Sequence, residues 1–518
     1  MRNRLKFALL PCLLLALVCA LAAQGKWAAP EDSAIHRFEQ EGLERSRLME
    51  VMSYLTDVYG PRLTNSPSIR EAANYAVQTL NSWGVEARLE PWGPFGRGWS
   101  NEVFQAQAIA PRSYPLIAYP KAWTSGTDGP VTAEVVYAKV EKVEDLETYK
   151  GKLKGKFVMT APLRPVEAHF EPQASRLTDQ ELSARTRPRP DARPPDAAAR
   201  ERLQAQRRLN QRLSAFLVEE GVAAWLEPSP HDGGTINVTA GGPREAGAAP
   251  GVPRVSLAIE HYGRIFRTLE KRIPVTLRLN IVNKFYDDQL DSFNIIAEIP
   301  GSDKADEVVI LGAHFDSWDS GTGATDNAAG SATMMEAMRI LKASGLAVRR
   351  TVRLALWTGE EQGLLGSRAY VKEHFADRQN MQLKAAHGKV SAYFNLDNGT
   401  GKIRGVYLQG NDAARPIFEK WMHPFKDLGM NTLSLRTTGG TDHVAFIEVG
   451  LPGFAFIQDP LEYDTRTHHT NMDVYERIQA EDLKQAATII ASFVYMTANA
   501  EQLLPRKPLP RPAGDRRP

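Results

Sequence analysis

Three apolar runs in the second half of the chain each lead into a residue able to hold a metal ion. Val308 to Ala313 (VVILGA) runs into His314, Thr351 to Trp357 (TVRLALW) leads to Glu360 and Glu361, and Val390 to Leu396 (VSAYFNL) ends in Asp397. Continuous rather than alternating apolar runs are what strands covered on both faces need. Helical patterns such as AGSATMMEAMRILKAS and GLLGSRAYVKEHF separate them. The alternation predicts an α/β fold with a mixed, mostly parallel sheet flanked by helices. In such sheets functional groups gather beyond the carboxyl ends of the strands, so residues far apart in sequence are expected to meet there.

More ligand types follow in the connections. The Gly-rich HFDSWDSGTGATDNAAG supplies Asp316, Asp319 and Asp326, and TGGTDHVAF and TRTHHTNMD supply Asp442, His443, His468, His469 and Asp473. The only cysteines are Cys12 and Cys19, in the N-terminal apolar segment. Imidazole and carboxylate donors without thiolates favour two divalent cations, zinc by preference, sharing one carboxylate. Two such ions polarise a carbonyl and hold a hydroxide nucleophile between them. The adjacent glutamates then divide the work: one binds metal, and its neighbour takes the proton from the water and passes it to the leaving amine. No G-x-S-x-G, HExxH, P-loop or Rossmann glycine pattern competes with this reading.

The order His314-Phe-Asp316, Asp326-Asn-Ala-Ala-Gly330, Glu360-Glu361-x-Gly363-Leu-x-Gly366-Ser367, Asp397, Thr441-Asp442-His443 and His469-Thr-x-x-Asp473 resembles the co-catalytic zinc exopeptidases of the M28 aminopeptidase family, from about Ile35 to Ala498. The resemblance implies two Zn²⁺ ions, with Asp326 bridging, His314 and Asp397 completing one site, and Glu361 and His469 completing the other. It also implies Glu360 as general base, with Asp316 and Asp473 orienting His314 and His469. Where many members carry a Tyr before the last histidine ligand, this chain has His468, a candidate donor to the tetrahedral oxyanion. The double histidine is similar to the plasma glutamate carboxypeptidase branch. An aminopeptidase is the leading expectation and a carboxypeptidase or dipeptidase the alternative. A one-zinc glutaminyl cyclase or a receptor-like protein that has lost its ligands fits the full ligand set less well.

Residues 1–23 carry Arg2, Arg4 and Lys6, then an apolar run and small residues, the pattern of a cleaved secretory signal. A secreted or periplasmic protein without a stable membrane anchor is expected. The formal charge of only +2 gives no reason to expect a nucleic-acid partner. The catalytic part is expected over residues 30–129 and 284–500. A β-rich insert resembling a protease-associated domain is expected over 130–283, with an Arg/Pro-rich solvated loop at 171–212, and a disordered Pro/Arg tail over 504–518. The substrate is expected to be a peptide, and a homodimer is left open. Which terminus is read is also open, because Asp442, Glu462, Asp464, Arg436 and Arg466 offer both signs near the site. Asp319 is expected to be a solvated loop carboxylate, and His261, His374, His387 and His423 to be structural or on the surface.

Overall fold

A computed structural model of the chain describes residue 27 and residues 31–187 and 197–515. The expected signal, residues 1–23, lies outside them. Among the described residues no helix is long and apolar enough to cross a membrane.

The apolar runs become neighbouring strands of an eight-stranded sheet. Its order is Glu86–Trp92, Ser292–Ile299, Arg350–Trp357, Lys304–His314, Val390–Asn395, Gly453–Gln458, Ile403–Tyr407 and Thr432–Ser434. The four strands from Arg350–Trp357 to Gly453–Gln458 pair in parallel, and antiparallel pairings flank them. Alternate residues feed two cores, as the two-residue period of a strand requires. Val309, Leu311 and Ala313 pack under the helices Ala329–Ala343 and Ala480–Asn499, while Val308 and Ile310 join Trp357, Tyr370, Tyr393 and Phe446 on the other face. This is the mixed α/β architecture the sequence predicts.

A second eight-stranded sheet, with its own core around Phe157, Met159, Leu226, Tyr262 and Leu277, is built from residues of 98–286. It begins earlier than the expected insert, because Gly98–Ala110 pairs along its length with Thr276–Tyr286. Gly98–Ala110 buries only Gly98, Trp99 and Ala108, so it carries little apolar pattern to read.

Two expectations change. The Arg/Pro-rich stretch carries more helix than a loop would: residues 188–196 lie outside the described residues, and from Ala197 a 24-residue helix runs to Glu220, exposed over most of its first half and burying Leu213, Phe216 and Leu217 against Val158 and Trp225 just past the expected boundary. The tail is docked up to about Pro510. Leu504 is buried, Arg506 donates to the carbonyls of His387 and Val390 (2.9 and 2.6 Å), and Lys507 donates to that of Gln409 (2.6 Å). Its basic residues saturate carbonyls at the edges of the fold, which composition alone does not reveal.

Candidate metal centre

His314 is the last residue of its strand, and its carbonyl accepts from Ser331 Oγ (2.7 Å). The chain then loops back through Gly323 (φ +64°), where a Cβ would lie 2.3 Å from that of Ser317, and presents Asp326. Asn327 fastens this loop to the next one: its Nδ2 donates to the Leu396 carbonyl (3.0 Å), and its Oδ1 accepts from Gly330 N (2.8 Å). A Cβ on Gly330 would come within 2.5 Å of both Asn327 Oδ1 and the Leu396 carbonyl, so only glycine lets the loops carrying Asp326 and Asp397 meet.

The donors converge as the strand-end argument requires. His314 Nε2 lies 3.1 Å from Asp326 Oδ1 and 3.1 Å from Asp397 Oδ1, while His469 Nε2 lies 2.9 Å from Glu361 Oε2 and 3.4 Å from Asp326 Oδ2. Asp326 thus stands between two clusters, one oxygen facing each. His468 Nε2 is 3.8 Å from Asp326 Oδ2, with its ring 3.8 Å from that of His469 and 4.9 Å from that of Tyr463.

Asp316 and Asp473 reach the site by other routes than expected. His314 Nδ1 is 2.9 Å from the backbone oxygen of Asp316 and 3.7 Å from its carboxylate, which instead accepts from Thr64 Oγ1 (2.9 Å) and from the amides of Glu360 and Glu361 (3.2 and 3.3 Å). The carboxylate of Asp473 accepts from the amides of Thr325 and Asp326 (2.5 and 3.1 Å) rather than from the His469 ring. Both aspartates therefore fix the backbone that carries the donors, because a turn leaves amides in need of acceptors. Arg62, fully buried, braces the same loop by donating to the carbonyls of Leu55, Phe315, Thr322 and Gly323.

The electrostatics explain why such a cluster calls for cations. Burial pushes the Glu360 and Glu361 carboxyls well above the ordinary carboxylate range, reinforced by the neighbouring carboxylates. Burial would also raise Asp326, but the hydrogen bond from His314 and the nearby imidazoles outweigh it and hold the group below its usual range. Asp326 Oδ2 and Glu361 Oε1 are buried without a hydrogen-bond partner. Orphaned carboxylate oxygens, one of them (Asp326 Oδ2) facing the His469 ring, are what a divalent ion satisfies, so the donor set fits metal on an observation independent of motif. The donor atoms of His314, Asp326 and Glu361 lie within 4.8 Å of one another, as do those of Asp326, His468 and His469.

These groups open onto a cleft of about 660 Å³. Glu360 and Tyr463 line it, and burial together with the surrounding carboxylates keeps the Tyr463 phenol protonated well past its usual range. The sequence reading missed Tyr463, which a turn at Tyr463–Thr467 folds back beside His468. It also missed Arg185, from the Arg/Pro-rich stretch, on the cleft wall.

Most candidates for reading a substrate terminus are otherwise engaged. Asp442 is fully buried, Glu462 pairs with Arg477 (3.2 Å), Arg466 bonds Gln173 (3.3 Å), and Arg436 donates to the Arg187 carbonyl (3.1 Å). Only Asp464 of that set lines the cleft, and it is exposed. Asp319, expected in solvent, is 6 % exposed with neither carboxylate oxygen partnered, and burial pushes its carboxyl up to about 7. The Gly-rich loop carrying it is sealed between the two sheets, beside a cluster of Trp99, Trp123 and Trp318. His261, His374 and His387 make structural contacts to Ile117 N, Glu90 and the Val449 carbonyl (2.9, 2.6 and 2.9 Å).

Comparison with known proteins agrees with this geometry. The family described as Peptidase family M28 matches residues 294–494. Carboxypeptidase Q of Mus musculus is 28% identical over 473 residues, covering 90% of this chain and 88% of that protein. Aminopeptidase YwaD of Bacillus subtilis is 30% identical over 266 residues, covering 50% of this chain and 54% of that one. Among solved structures, a Peptidase M28 precursor from Shewanella amazonensis SB2B superposes with a TM-score of 0.65 at 25% identity, covering 92% of this chain and 98% of that one.

Proposed function

Because residues 294–494 form a peptidase family M28 domain, we propose that this chain is an exported two-zinc exopeptidase with Glu360 as its general base. The observation that carries the reading is Asp326, whose two oxygens face His314 at 3.1 Å and His469 at 3.4 Å. His314, Asp326 and Asp397 would hold one ion, and Asp326, Glu361 and His469 the other. When bound, the ions would polarise the scissile carbonyl and make water a nucleophile near neutral pH.

The chain's own residues do the rest. Glu360, whose carboxyl burial raises well above the ordinary carboxylate range, takes a proton from the attacking water and returns it to the leaving amine. Tyr463 and His468, side by side at the cleft wall, donate to the oxyanion. Asp316 holds the amides of Glu360 and Glu361 together, so base and ligand move as a unit. The loop joining two strands of the second sheet, Ala224–Pro228 and Arg254–Leu257, closes over one side: Val238 N donates to the His469 carbonyl (3.0 Å), and Asn471 exchanges hydrogen bonds with Ile236.

A mass-spectrometric time course on matched peptides, free, N-acetylated or C-amidated, with and without chelator, tests the reading. Chelator-sensitive release of single residues is expected. Internal cleavage, or cleavage that survives metal removal, would overturn it. The exposed Asp464 in the cleft keeps the aminopeptidase reading in play, since a carboxylate there suits a free amine.

A further inference from the structure

Among the described residues, Arg185 is the only Lys or Arg lining the cleft. Among the described residues Arg185 makes no ion pair within 4 Å: its guanidinium donates a long hydrogen bond of 3.4 Å to the Glu181 carbonyl within its own helix, and feels the Glu181 carboxylate, already engaged by Thr178, only at longer range. A half-buried cation left unpaired beside a substrate cleft is a group waiting for an anion.

Its position is fixed from the catalytic side. The helix Asp179–Thr186 starts with a capping box in which Thr178 and Glu181 bond each other's backbone amides (2.8 and 3.3 Å). Leu177 and Leu182 pack on Ile457, a residue of the catalytic sheet. Arg176 pairs with Asp459 (2.9 Å) and Asp482 (2.6 Å), and Arg404 donates to the Leu177 carbonyl (3.1 Å). At the helix's far end Ser434 Oγ donates to the carbonyl of Arg185 itself (2.6 Å), and Arg436 grips those of Ala184 and Arg187. The strap formed by residues 176–187 thus crosses the rim with both ends tied, presenting one cation to the cleft.

Resting on the exopeptidase reading, we propose that Arg185 binds the C-terminal carboxylate of the substrate, so that the strap sets which terminus the enzyme reads. A planar guanidinium matches a carboxylate with two parallel hydrogen bonds, which an amide cannot accept in the same way. The rest of the charge in the cleft is carboxylate or imidazole belonging to the candidate metal centre, apart from the exposed Asp464. The specificity element therefore lies in the strand connection of the second sheet, while the chemistry lies in the first.

The test is steady-state kinetics of the zinc-loaded full chain, wild type, Arg185→Gln and Arg185→Lys, on short peptides with a free or amidated C-terminus and with Glu or Gln as the last residue. The wild type is expected to prefer the free acid over the amide by roughly 10- to 100-fold in kcat/KM. In Arg185→Gln this preference collapses towards one, through KM rather than kcat, and Arg185→Lys recovers part of it. A free-acid preference that survives in Arg185→Gln overturns the proposal. So does a loss that follows the Glu/Gln exchange instead, which would make Arg185 a side-chain reader. Absence of chelator-sensitive hydrolysis of any peptide by the wild type would instead sink the exopeptidase reading and the proposal with it. Zinc content and thermal melting of both variants separate lost recognition from lost folding.

Discussion

The floor and the rim of the cleft are built on different principles. On the floor, His314, Glu360, Glu361 and Asp397 follow parallel strands that pair with one another, so the sheet itself brings them together. On the rim, Arg185 is placed by ion pairs and carbonyl contacts to residues hundreds of positions away. A strand end is rigid and its partners are set by register; a strap is only as fixed as its ties. On the proposed reading, chemistry would sit on the first kind of support and recognition on the second, and the two should fail differently.

Removing the shared ligand should have the largest effect. Asp326→Asn is expected to abolish both zinc binding and hydrolysis, and its melting temperature should stop responding to zinc. The wild type should gain about 2.7 kcal/mol at a hundred times the dissociation constant; calorimetry with added zinc checks this. Glu360→Gln should keep both ions by metal analysis while kcat drops by about 10²- to 10⁴-fold. On the rim, Arg436→Ala, which frees one end of the strap, should leave kcat within a few-fold and cut the free-acid to amide preference by roughly tenfold. An equal loss of kcat would show that floor and rim are not separable.

The last prediction concerns stability rather than turnover. The Asp319 carboxyl stays protonated in the folded chain up to about 7, against 3.8 when exposed. Between those values the folded state binds the extra proton, so this group's stabilising contribution is complete at acid pH and is lost as pH rises through about 7. Asp319→Asn should remove that slope, up to about 1.4 kcal/mol per pH unit, and therefore stabilise most above pH 7. Thermal melts from pH 4 to 8 measure it; a slope unchanged in the variant would assign it to other groups.

The same contrast explains what could be read from the sequence. The fold and the donor-bearing positions were legible because apolar runs and the residues directly after them share one register. Asp316 and Asp473 were noticed as carboxylates near the site, but not their acceptance of backbone amides, which depends on how a turn is closed. Nothing about Arg62 in the sequence shows the four carbonyls it serves. Arg185 was hidden among many arginines, and only the contacts of its neighbours distinguish it from the rest. The strand Gly98–Ala110 was missed because it buries too few side chains to show an apolar pattern.

The bond from Val238 to the carbonyl of His469 carries a further implication. His469 sits at φ +60°, an uncommon backbone state for a residue with a side chain, and the loop between Ala224–Pro228 and Arg254–Leu257 of the second sheet helps to hold it there. Any rocking of that sheet away from the first would pull on the peptide unit of a metal donor. Under the proposed function, opening of the cleft and the grip on the ion would then be one mechanical variable, so Val238→Pro, which removes the donating N–H, should also speed zinc exchange.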